Sequence, residues 1–280
     1  MLAQHARQHP AAARSGLVVL HGTGPSEADE LWYRKRLREQ VRRLDAASIE
    51  IGYELHATWP RAHDGRVQDA DPADVDRLIE RAAARIDIAL PARRIAAGAV
   101  KNSAKTTDAR MARAIESALG VDIAPLLDEG ALAGAMQRAL VANVGLITTI
   151  PSRHFAQLRA RILETFARGA RWETLAEEIR RQTGVTQDRA NLIARDQTSK
   201  MSAALNEARQ TDLGIEEYIW ADAGDRRVRP EHHALNGTRQ KWAAPPLVEG
   251  EHVHPGEAIN CRCRSLPVIN LRALERRAAA

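Results

Sequence analysis

A chain of 280 residues with 44% apolar side chains can form one large or two modest domains and is too apolar to stay disordered. Only 4% of its residues are aromatic while alanine is abundant, a composition that favours packed helices. Its 41 basic and 36 acidic side chains leave a net charge of +5, which permits nucleic-acid contact without demanding it. No run approaches the roughly 18 apolar residues of a membrane span.

The first 25 residues hold a short apolar patch, GLVVLHG, without the layout of a signal peptide. They are expected to form a flexible arm on a cytoplasmic product. From residue 27 to 57, Leu37, Val41, Leu44, Ile51 and Leu55 recur at helical spacing, with Ser48 the weak step in the stripe. Arg34, Lys35, Arg36, Arg38, Arg42 and Arg43 crowd the other positions. Such a face is either simply solvated or laid against DNA or an acidic partner, and Arg34, Lys35, Arg38 and Arg42 are the candidate DNA contacts.

TWPRAHDGRVQDAD reads as a loop, after which Asp71 and Pro72 supply the N-cap and first position of a helix. Val75, Leu78, Ile79, Ala82, Ile86 and Leu90 give it one apolar face, and Pro91 with ARRIAAGAVKNSAKT is expected to break it. Further helices are expected from Thr107 to Leu119, stopped by Gly120, and from Pro125 to Val144. Pro151 then punctuates, and a helix over 152–168 buries Phe155, Leu158, Ile162 and Phe166. WETLAEEIRRQTG and VTQDRANLIARDQTSKMSAALNEARQTDLG predict two more, each closing on a glycine. Across their junction LAEEIRRQTGVTQDRANLIAR resembles a DNA-reading helix-turn-helix, with Thr186 as N-cap. Ala176 and Gly184 lie about one turn too far apart for that motif, and a plain helical hairpin accounts for the same residues.

From Ile215 the helical period stops. EYIWAD reads as a strand, AGD and LNG as turns, TRQKWA and CRCRSLPVI as further strands, and APPLVEGEHVHPGE as an extended loop. The fold class is therefore α+β: a mainly helical N-terminal two-thirds, residues 26–214, followed by a small β-containing C-terminal unit, 215–269, and a tail, 270–280. A unit so small commonly gains from a staple or a partner.

Both cysteines of the chain, Cys261 and Cys263, lie in that unit. On a strand they would present both sulfurs to one face and Arg262 and Arg264 to the other. A disulfide across one residue would close a small, strained ring and is discounted. Zinc would neutralise the pair, with His232, His233, His252 and His254 as further candidate ligands. The bland alternative is two buried thiols among hydrogen-bonded histidines.

RANLIARDQTSKMSAALNEARQTDLGIEEYIWADAGDRRVRPEHHALNGTRQKWAAPP, followed by HPGEAINCRCRSLPV, resembles the phage Mu F-like minor head protein family, also described as phage head morphogenesis proteins. The resemblance spans residues 135 to 269 and is carried by ordered motifs: GI..Y.W, D.RVRP.H..LNG, PP and HPGE.INCRC...PV. It implies a non-enzymatic virion component, acting in procapsid assembly near the portal and in contact with capsid, scaffold and packaged DNA, with no membrane role. The motif residues carried over are Asp225, Arg227, Arg229, Pro230, His232, Gly237, His254, Pro255, Cys261, Arg262 and Cys263. Relatives can carry toxin domains after this module; none is expected in the few residues beyond LPVI. Asp225, paired with Arg227 or Arg229, is expected to lock the small unit together with His232, Gly237 and Arg262. The competing function is metal-dependent hydrolysis or nuclease chemistry at the His/Cys cluster, with a free-standing DNA-binding protein as the third class.

Overall fold

The computed structural model describes residues 16–58 and 71–271. The far N-terminal arm, the loop over 59–70 and the tail beyond 271 lie outside them. Helix α1 spans Glu27–Thr58, α2 Pro72–Ala84, α3 Ala89–Leu119, α4 Ala133–Ala167, α5 Trp172–Asp212 and α6 Pro230–Ala234. The strands are β1 (Leu17–Val19), β2 (Glu217–Ala221), β3 (Arg239–Lys241), β4 (Leu247–Val248), β5 (Glu251–His252) and β6 (Arg264–Asn270). The helical N-terminal two-thirds and the small C-terminal sheet agree with the sequence-based fold class.

The chain divides into two compact units. One comprises residues 31–97 and 141–194, and its described elements are helices joined by short turns. Leu37, Val41, Leu44, Ile51 and Leu55 of α1 are buried as their spacing predicts, as are Val75, Leu78, Ile79 and Ala82 of α2 and Phe155, Leu158, Ile162 and Phe166 of α4. Asp71 caps α2 through its carboxylate, which accepts the Ala73 N–H at 2.9 Å. Ser48 is fully buried in a polar chain. Its hydroxyl lies 2.8 Å from the Leu44 carbonyl and 2.7 Å from His154 Nε2, and His154 Nδ1 lies 2.8 Å from the Thr186 hydroxyl. Burial holds the imidazole pKa down at about 4, against a smaller opposing pull from Asp45. The neutral ring suits this chain of one-way hydrogen bonds.

The other unit holds the residues before 31, 98–140 and those from 195 onward. Its sheet is antiparallel with order β1-β6-β2-β3, and β4 pairs with β5 in a separate hairpin. Register sets Tyr218 against Pro267 and Trp220 against Ser265. Alternation along β2 buries Tyr218 and Trp220 on one face. They pack with Trp242, Val248, Cys261 and Cys263, while Leu20, Met111, Ile115, Leu119, Ile215 and Ile269 form a second cluster.

Several boundaries differ from the sequence reading. Residues 17–19 are not part of a loose arm: β1 pairs with β6, Val18 opposite Ile269. Pro91 opens α3 instead of breaking a helix, because in a first turn its missing N–H has no partner to lose. Leu90 is accordingly exposed rather than part of the α2 face. Pro125 sits in a short 3-10 turn, Ala124–Leu126, and α4 begins only at Ala133. That helix then continues through Pro151, where hydroxyls of Thr148, Thr149 and Ser152 donate to carbonyls of the surrounding turns. WETLAEEIRRQTG and the segment after it are one helix, so no helix-turn-helix exists there, and Thr186 is a buried mid-helix residue rather than a cap. The extended loop 244–257 contains the β4–β5 hairpin, turned at Glu249 and Gly250, both with positive φ.

One further difference concerns α4. The stretch Gly130–Ala167 reaches a mean hydropathy of 1.2 in its most apolar window, enough by length and composition to cross a membrane. In this fold its inward positions Ile147, Ile150, Leu158 and Ile162 are buried, and Asn143 accepts the Tyr33 hydroxyl at 2.6 Å. A long core helix meets the same hydropathy criterion.

Candidate metal centre in the C-terminal unit

Cys261 and Cys263 lie in the extended segment just before β6, not within it. The alternation argument nevertheless gives the right face, since both side chains are buried and unbonded to each other. They meet His232, which projects from the short helix α6. That helix starts where Arg229 adopts an extended conformation and Pro230 takes the first helical position. His232 Nδ1 lies 3.4 Å from Cys261 Sγ and 3.5 Å from Cys263 Sγ. All three donor atoms fall within 4.8 Å of one another.

The cage around them is built from distant parts of the chain. Ser199 on α5 donates to the Cys261 carbonyl at 2.7 Å, and Asp196 accepts the Asn260 N–H at 2.8 Å. Arg195 reaches the Asn260 side chain at 3.1 Å. Gly256 donates its N–H to Cys261 Sγ at 3.4 Å and adopts φ +94°; a β-carbon there would sit 3.0 Å from Ala203 Cβ. The Trp220 ring meets the His232 ring edge-on at 5.5 Å, and its buried indole N–H lies against Cys263. Cys261 is held well below the usual thiol range by the Cys263 thiol, by the N–H groups of Cys263 and Gly256 and by His232, against the cost of burial. Cys263, whose proton is held toward Cys261 in a buried setting, is pushed up.

The structure selects three of the histidine and cysteine residues named from sequence. His232, Cys261 and Cys263 come together. His233 is largely exposed, with Nδ1 2.7 Å from Asp222 Oδ2. His252 is exposed, and its Nδ1 lies 2.8 Å from the Pro245 carbonyl. His254 is buried elsewhere, its Nδ1 2.9 Å from the Tyr218 hydroxyl and its ring 4.7 Å from that of Trp242.

The polar network also takes a definite form. Asp225 pairs with Arg262, both guanidinium nitrogens reaching its two oxygens, and accepts the Arg227 N–H at 3.0 Å. The Arg262 hydrogen bonds hold the Asp225 carboxyl well below the ordinary range, helped by the Arg227 N–H. Of the two arginines expected beside Asp225, Arg227 stands 3.6 Å from its carboxylate, whereas Arg229 bonds Glu249 at 2.7 Å and the Ile259 carbonyl. Gly237 has φ +77° in the LNG turn and donates to the Trp220 carbonyl at 2.8 Å. His232 faces the two sulfurs.

Among the candidate DNA contacts, Lys35 and Arg42 are exposed, Arg34 is half-buried, and Arg38 donates to Asn191 at 2.9 Å. With Leu31 these four line a shallow groove of 570 Å³. A larger groove of 900 Å³ runs beside β2, β3 and the end of α5, and its lining contains neither histidine nor cysteine. The supporting residues Asp196, Ser199, Gly256 and Asn260 were not singled out from sequence. The adjoining HPGE, INCRC and RDQTS runs carried them, but without a motif that names their roles.

Residues 156–266 match the family model described as Phage Mu protein F like protein. That segment is similar to the phage Mu F-like family. It contains the last part of α4, all of α5, and the whole His232–Cys261–Cys263 assembly. An uncharacterized protein of Haemophilus influenzae is 29% identical over 246 residues, which cover 88% of this chain and 54% of the relative. The chain thus spans about half the length of that curated relative. No solved structure matches. β6 begins inside the match and runs past it, and β1 pairs with Val268, Ile269 and Asn270 beyond its end, so residues outside the match complete the sheet.

Proposed function

We propose that the chain is a head morphogenesis protein of a tailed bacteriophage or prophage, a minor capsid component that acts in procapsid assembly beside the portal. The match of residues 156–266 to the Mu F-like family carries this reading. Its chemistry is that of a scaffold rather than a catalyst. The recess beside His232 and the two cysteines has a volume of 20 Å³, room for about one water molecule and none for a phosphodiester. That argues against the competing hydrolase. Lys35 and Arg42 supply exposed positive charge suited to sequence-blind contact with packaged duplex DNA. The partners in this reading are portal, capsid and scaffold proteins, and the location is the virion interior or portal vertex after assembly in the host cytoplasm.

Deletion of the gene from its phage or prophage tests the reading. Electron microscopy of induced lysates is expected to show few or aberrant heads, rescued by the wild-type gene in trans. Normal yields of filled, infectious heads in the deletion would contradict it.

A further inference from the structure

We infer that His232, Cys261 and Cys263 form a structural zinc site that clips α6 to the segment entering β6. The three donors are buried, come from two separate segments and lie at ligand-to-ligand spacing. A tetrahedral zinc with bonds of ~2.3 Å to sulfur and ~2.05 Å to nitrogen sets those atoms ~3.5 Å apart. The observed separations from His232 Nδ1 are 3.4 and 3.5 Å. Two thiolates, one neutral imidazole and a divalent ion make a cluster without net charge, which suits a buried location. A soft two-sulfur, one-nitrogen set favours zinc over magnesium or calcium, which take oxygen ligands. The adjoining 20 Å³ recess, lined by Val228, Asn260 and three arginines, admits one water as fourth ligand and nothing larger. With no room for a substrate beside it, an ion there would tie α6 to the segment entering β6.

One contact places a demand on the site. His232 Nε2 lies 3.5 Å from Arg229 Nη1, and with zinc on Nδ1 that nitrogen carries the ring proton. Two donors would then face each other. The arginine already has acceptors in Glu249 and the Ile259 carbonyl and holds to them. Binding releases the thiol protons to solvent, so uptake strengthens as pH rises.

The test uses the full chain, purified without added metal or chelator, with zinc counted per chain by mass spectrometry. After demetallation, cobalt(II) is titrated in and its absorption recorded. The site predicts one metal per chain, thiolate-to-cobalt charge transfer and tetrahedral ligand-field bands. Cys263→Ser and His232→Ala are expected to lose the metal, and the exposed His233→Ala to keep it. A folded wild-type protein that takes up neither zinc nor cobalt overturns the proposal, as does full uptake by a Cys261→Ser/Cys263→Ser double variant. If the variants fail to fold, the wild-type cobalt spectrum decides alone: thiolate bands support the site and their absence overturns it. The outcome is independent of the head-assembly reading, which particle composition tests separately.

Discussion

At Gly256 two requirements meet in one residue. Its backbone sits at φ +94°, where a side chain is strained, and a β-carbon would press on Ala203 while its N–H must still reach Cys261 Sγ. Gly256→Ala is expected to destabilise the C-terminal unit by about 1–3 kcal/mol, read from denaturant midpoints. Ala substitution at Gly256 without loss would contradict the described turn. Cys261 and Cys263 illustrate what residue-level sequence reading can reach. Their shared facing and the unsuitability of a disulfide followed from spacing alone. Which histidine joins them did not, because His232, His233, His252 and His254 all lie nearby in sequence. The choice rests on α6 turning His232 inward while His233, one residue later, points to solvent.

The long helices were the least legible elements, and for one physical reason. Proline and glycine were taken as helix ends, whereas Pro91 falls in a first turn, hydroxyls support the carbonyls around Pro151, and Gly184 is simply tolerated within α5. Gly184 has helical surroundings and open space where a β-carbon would go. Gly184→Ala is therefore expected to stabilise the protein by ~1 kcal/mol, measured as a raised unfolding midpoint. A left-handed turn at this position would make the same change destabilising. The strands were easier to find, since β-favouring runs between turn residues located β2, β3 and β6 to within a few residues. β1 escaped because its partner lies some 250 residues away, a pairing no local pattern records.

Burial of His154 gives the helical unit a pH dependence. The imidazole stays neutral in the fold down to about 4, while in the unfolded chain it takes up a proton below its usual 6.5. The contribution is therefore complete above pH 6.5 and is lost as pH falls toward 4, amounting to about 3 kcal/mol at most. Denaturant unfolding of wild type and His154→Gln at pH 7 and pH 4.5 isolates it from the carboxylates. The variant is expected to lose less stability than wild type between the two; equal losses would place the charge change elsewhere.

For the whole molecule, the fold class and the Mu F-like resemblance were both visible in the sequence, whereas the interleaving of the two units was not. Unit boundaries at residues 98, 141 and 195 fall inside helices, where composition does not change. If the basic groove on α1 meets packaged DNA, binding to unrelated duplexes should weaken steeply with salt. Lys35→Ala and Arg42→Ala should each reduce the logarithmic salt slope by about one, equally for every sequence. Binding that prefers one site, or is unchanged in both variants, would remove the groove from the account. The most direct measurement is mass spectrometry of particles purified from the encoding phage or induced prophage. The account predicts this chain among the proteins of washed heads, at low copy beside the major capsid protein. Its absence from both procapsids and mature heads, with the chain abundant in the surrounding lysate, would contradict it.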